Sequence, residues 1–67
     1  MIEIIRTAAD HVGGPQKLAD ILGIKRQALY MWDQVPSKRV IPIENATGGK
    51  VTRQEMRPDL YPEDRAA

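Results

Sequence analysis

The 67-residue chain contains no cysteine, which excludes disulfide staples and any metal site built on thiolates. It also lacks phenylalanine, and aromatic residues reach only 4% against 42% hydrophobic residues overall. Its core must therefore be assembled mainly from aliphatic side chains on helices. One histidine and scattered carboxylates do not supply a nucleophile, a base and an orienting group, so no enzyme is expected. No apolar run approaches the ~20 residues of a membrane span. The opening MIEIIRTAADHV carries acids early and has no small-residue cleavage site, so it is not expected to be a secretion signal. The length fits one small domain. A core of that size contributes ~3–5 kcal/mol, which makes dimerisation or ligand binding a natural supplement.

The overall charge of +1 hides a division along the chain. Pro15 to Arg53 carries seven basic residues, Lys17, Lys25, Arg26, Lys38, Arg39, Lys50 and Arg53, against Asp20, Asp33 and Glu44, a net +4. The two ends together are −3. A solvated charged surface accounts for such an asymmetry equally well, so the local motif has to decide its meaning.

Ile4, Ile5, Ala8 and Val12 form one stripe of an amphipathic helix over 2–12. Gly13-Gly14-Pro15 then supplies a stop, a joint and a proline for the first turn of a second helix. That helix runs from Pro15 to Leu22, with Leu18, Ala19, Ile21 and Leu22 inward, and Gly23 closes it. A third helix is expected over about 25–33. It ends before Val35-Pro36, because the residue preceding a proline is driven towards extended geometry. For 37–46, Ser37 offers an N-cap and Val40, Ile43 and Ala46 recur at three-residue spacing, while Pro42 predicts a kink or restart. The alternative is a hairpin with strands at 40–44 and 50–53 around Ala46-Thr47-Gly48-Gly49. Thr52-Arg53-Gln54-Glu55 has the form of a capping box. Leu60 and Tyr61 can pack back on the body, and 62–67 reads as a flexible C-terminal tail beyond a domain over 1–61.

In PQKLADILGIKRQALYMW the small, glycine and apolar positions are fixed relative to one another. Ala19 must be small where the next helix crosses it, Gly23 must turn, and Leu18, Leu22, Ile24, Leu29 and Trp32 close a shared core. This is helix-turn-helix spacing, which holds a recognition helix proud of the surface. A plain helical hairpin shares the pattern. The outward residues Lys25, Arg26, Gln27, Tyr30 and Met31 favour DNA, since arginine can bind guanine, and glutamine adenine, in a bidentate manner. Asp33 does not suit a phosphate-facing position. Trp32 reads as core rather than as a base-stacking platform.

That stretch, with VPSKRVIPIENATGGKVTRQEMRPDLYP after it, resembles the phage Cro and YdaS-like repressors of the lambda-repressor-like helix-turn-helix superfamily. The Ile-Glu-x-Ala-Thr-Gly-Gly-x-Val-Thr run and the Arg-Pro-Asp-Leu-Tyr ending carry most of the specificity. The resemblance implies an all-α fold of about five short helices that binds double-stranded operator DNA, usually as a homodimer. It further implies a transcriptional repressor of phage or prophage regions in the bacterial cytoplasm, on the nucleoid, with no cofactor. The family's base-reading slots match Arg26, Gln27, Tyr30 and Met31. Its backbone-contacting slots match Pro15, Gln16 and Lys17. Pro15 departs from the frequent glutamine, which passes that contact to Gln16 or Lys17. Lys25 stands where many relatives cap the helix with Ser or Thr, and Lys38 and Arg39 are further phosphate candidates. Met56, Leu60 and Tyr61 are candidates for a dimer surface or for packing on their own core.

Gly48-Gly49-Lys50 is read as a turn rather than a phosphate loop, because position 44 is Glu and Val51 follows the lysine. His11 has no second ligand at helical spacing, so no metal is expected. A second functional class stays open, an antitoxin of a YdaS-like toxin-antitoxin pair acting mainly through a protein partner. Few residues follow Tyr61 to wrap such a partner, which tilts the expectation towards DNA.

Overall fold

Ile5, Ala8 and Ala9 recur at i, i+3 and i+4, and in the computed structural model, which describes residues 1–62, all three are fully buried on α1 (Glu3–Val12). The stripe thus centres one residue further round than the Ile4–Val12 line of the sequence, and Ile4 and Val12 flank it half-buried. Gly13 ends α1 at φ 103, and the Gly14 amide donates to the Ala9 carbonyl at 2.7 Å. Pro15 then opens α2 (Pro15–Leu22) at a position where its missing N–H costs nothing.

Helix α2 buries Leu18, Ala19 and Leu22. Ile21, expected inward, is instead 55% exposed. At 100° per residue the other three define an arc from whose centre Ile21 is displaced by more than a quarter turn. Gly23 adopts the left-handed conformation at φ 71, its amide donating to Asp20 O while the Ile24 amide donates to Ala19 O at 3.0 Å. These two bonds are a Schellman closure. They reverse the chain in two residues and place Lys25 at the N-cap of α3 (Arg26–Met31).

The third helix is shorter than the expected 25–33. Trp32 leaves it at φ −73, ψ 131 and lies half-buried against the core, so the chain gives up helical hydrogen bonds at this point and gains apolar contact. Val35 is fully buried in the link that follows. Helix α4 (Ser37–Ala46) starts one residue earlier than the sequence suggested, with Pro36 at the N-cap and Ser37 already helical without a side-chain cap. Pro42 neither breaks nor restarts it. Pro42 and Lys38 are both exposed, so water can take the Lys38 carbonyl that the proline leaves without an amide.

No hairpin forms. Thr47 donates to Glu44 O and accepts from the Val51 amide, both at 3.1 Å, and with Gly48 and Gly49 at positive φ it closes a tight turn. The capping box is present in full: the Glu55 amide donates to Thr52 Oγ1 at 3.2 Å and the Thr52 amide to Glu55 Oε1 at 2.9 Å, opening α5 (Arg53–Met56). Met56 is buried in the core, which removes it from any dimer surface, whereas Leu60 is 46% exposed and Tyr61 packs half-buried on the body. Helix α1 packs on α2, α2 on α3 and α4, and α4 on α5. Among the described residues the fold is all-helical, with no strand. The tail expected over 62–67 lies, apart from Pro62, outside the described residues.

Candidate nucleic-acid interface

Helix α3 has one buried residue, Leu29, which packs it down, and α2 is its principal neighbour. Everything on its outer side faces solvent. Arg26, Gln27, Tyr30 and Met31 are all exposed, Tyr30 by 50% and Met31 by 78%. Positions i, i+1, i+4 and i+5 of an α-helix fall within roughly 140° of arc, so the four side chains occupy one face. That face combines a guanidinium, a primary amide, a phenol and a thioether, which together offer hydrogen bonds to base edges and apolar contact to a methyl group. A methionine exposed to this degree buries little apolar area in the monomer, so core packing does not account for it.

Lys25 sits at the N-cap with no side-chain cap bond, as its ammonium can only donate. Its charge stays in solvent beside the first turn of α3. Lys17 on α2 and Lys38 on α4 are exposed as well. Among the described residues the ion pairs are Arg53 with Glu44 and Arg57 with Asp59, so Lys17, Lys25, Arg26 and Lys38 carry unpaired positive charge. Lys17 shares α2 with Asp20, so the mid-chain excess of basic residues falls at the N-cap and start of α3 and at the start of α4. Asp33 lies exposed beyond the end of α3.

Two backbone candidates are already engaged. Gln16 Nε2 donates to Asp20 Oδ1 at 2.9 Å, a bond one turn along α2 that leaves its second amide hydrogen free. Arg39 is half-buried, and its Nη1 donates to the carbonyl of Leu22 at 3.3 Å. Another arginine escaped the sequence reading. Arg57 donates through Nη1 to the Val35 carbonyl at 2.9 Å and grips Asp59 with Nε (3.0 Å) and Nη2 (2.8 Å). No sequence signal marks the Val35 contact, because its partners stand 22 residues apart.

Arg53 holds Glu44 through Nε at 2.8 Å and Nη2 at 2.7 Å, and its guanidinium lies 5.7 Å from the Tyr61 ring centroid. The hydrogen bond from Arg53 lowers the Glu44 pKa from its ordinary value, and that from Arg57 lowers Asp59. No group of three His, Cys, Asp or Glu with metal-binding placement occurs among the described residues. Nor does any helix among the described residues have the length and apolarity to cross a membrane.

A family model described as "Bacterial toxin YdaS" matches residues 5–65. A protein of Escherichia coli (strain K12) named "Putative transcriptional regulator YdaS" is 38% identical over 53 residues, 73% of this chain and 54% of the relative. The chain thus spans about half the length of the curated relative it matches. No solved structure matches.

Proposed function

The chain belongs to the YdaS family, and we propose that it is a sequence-specific DNA-binding transcriptional regulator that reads the major groove with α3. The observation that carries this reading is the outer face of α3. Arg26, Gln27, Tyr30 and Met31 are exposed together on a helix pinned by one buried leucine, and exposed lysines outside the ion pairs of the described residues stand at its N-cap and on α2 and α4. Arg26 and Gln27 read base edges, and Tyr30 and Met31 add hydrogen bonding and apolar contact further along the groove. Gln16, Lys17, Lys25 and Lys38 hold the sugar-phosphate backbone and set the register. The relative's name, a transcriptional regulator, agrees with this role.

In its finer form the reading is a Cro-like repressor of a phage or prophage operator, acting without enzymatic activity on DNA in the bacterial cytoplasm. Six-residue α3 covers only part of a turn of DNA. A homodimer placing two copies of α3 about 34 Å apart on a palindrome supplies the remaining affinity. The test separates the two kinds of contact. Arg26→Ala should cost ~1–3 kcal/mol on the preferred duplex and relax selection at one base pair, whereas Lys38→Ala should weaken all duplexes alike and reduce the salt slope by about one. Equal effects of both variants on preferred and scrambled DNA would sink the assignment.

The family description favours a second reading, since it names a toxin. In that reading the chain, whether toxin or antitoxin, works through a protein partner and α3 is a scaffold. Such a chain shows no preference among duplexes, and exchanging the outer face of α3 for alanines leaves its effect on cells intact.

A further inference from the structure

Six residues make a helix of under two turns, too short to hold itself. Neither end of α3 has a side-chain cap, with Lys25 at one end and Trp32 at the other. What brackets it instead are two guanidinium groups from outside the helix-turn-helix. Before α3, Arg39 of α4 donates to the carbonyl of Leu22, the last residue of α2, which no amide within the helix can reach. After α3, Arg57 donates to the carbonyl of fully buried Val35 in the link to α4.

Arg57 is itself held. Its side chain is only 13% exposed, and Asp59 takes Nε and Nη2 in a bidentate fork that leaves Nη1 aimed at Val35. Each bond is charge-assisted, and each fixes backbone within three or four residues of an end of α3.

We infer that Arg39 and Arg57 are positioning residues for α3, clamping the backbone on either side of it and so fixing the angle at which its outer face is presented. This rests on the reading of α3 as the base-contacting helix. It moves Arg39 from the phosphate contacts to the frame behind them. Lysine keeps the charge but has neither the planar fork nor the geometry to hold Asp59 and Val35 at once.

The experiment uses the full chain with Arg39→Lys, Arg39→Gln, Arg57→Lys and Arg57→Gln, and has two arms. In the free protein, amide exchange is followed for α3 (Leu29, Tyr30 and Met31) and α1 (Ala8 and Ala9). The clamp predicts about tenfold faster exchange in α3 for the Lys variants with α1 unchanged. Parallel acceleration of both helices would show ordinary loss of stability and overturn the inference. In the second arm, binding to the preferred duplex and to a scramble is measured across salt concentrations. Preference should fall roughly tenfold in all four variants with the salt slope unchanged. If Arg39→Lys keeps wild-type preference while Arg39→Gln lowers the slope by about one, Arg39 is a phosphate contact and the clamp is refuted there.

Should the wild-type chain prefer no duplex, the reading of α3 fails on its own. The exchange arm then still decides whether the two arginines hold it. Where a Gln variant does not fold, the Lys variant of the same position carries both arms.

Discussion

Gly23 is the residue on which the geometry of the α2–α3 turn depends most directly. Its φ of 71 lies where a Cβ is disfavoured, yet a Cβ built there meets no atom within 4 Å. Any cost of substitution is thus conformational rather than steric. Gly23→Ala should lose ~1–2 kcal/mol in urea unfolding, with the slope of the transition unchanged. A loss well beyond that would mean that the turn closes on a neighbour this geometry does not show. Leu18, Ala19, Leu22, Leu29 and Gly23 were all legible from spacing, because helix period and glycine chemistry act locally. Ile21 was not, since which side of an apolar arc faces the core depends on the neighbour it packs against. The exposure of Arg26, Gln27, Tyr30 and Met31 was legible for the converse reason: once Leu29, with half-buried Ala28 beside it, is inward, the other residues of so short a helix must face out.

Among the elements, α3 has a sequence that works against its own stability at its first turn. Lys25 occupies the N-cap, where an acceptor side chain is favoured. Lys25→Ser should therefore raise stability by ~0.5–2 kcal/mol while lowering the salt slope of DNA binding by about one. Stability and binding rising together would show that Lys25 has no phosphate role. The starts of α2 and α5 follow from Pro15 and from the Thr52–Glu55 box, whose bonds join residues within three positions of each other. The end of α3 and the continuity of α4 through Pro42 do not. Trp32 leaves the helix to reach a core made by distant residues, and the proline is tolerated because its side of α4 is open to water. The Arg39–Leu22 and Arg57–Val35 bonds were illegible for the same reason, spanning 17 and 22 residues.

For the molecule as a whole, two ion pairs tie the C-terminal segment to itself and to α4, and both involve a carboxylate whose pKa is lowered by hydrogen bonds from arginine. A carboxyl more acidic in the folded than in the unfolded chain stabilises the fold fully above its unfolded pKa, and that stabilisation is lost as pH falls through the folded value. Stability should therefore hold from neutral pH down to about 4.5 and decline below it. Glu44→Gln with Asp59→Asn should flatten that decline when melting is followed against pH. An unaltered acid profile in the double variant would place the sensitive carboxylates elsewhere. The two carboxylates held by arginine, Glu44 and Asp59, lie on α4 and in the C-terminal turn, while exposed cations outside those pairs stand on α1 (Arg6), α2 (Lys17), at the N-cap and start of α3 (Lys25, Arg26), on α4 (Lys38) and in the turn after it (Lys50).

The most direct measurement is fluorescence anisotropy of the wild-type chain at two salt concentrations, with duplexes tiled across the upstream region of its own gene and a scrambled duplex as control. One tile bound far more tightly than the scramble at physiological salt is the predicted result, and a palindromic tile would give two copies per site. Weak binding to every duplex, vanishing as salt rises, would contradict sequence-specific reading by α3 and turn the search towards a protein partner.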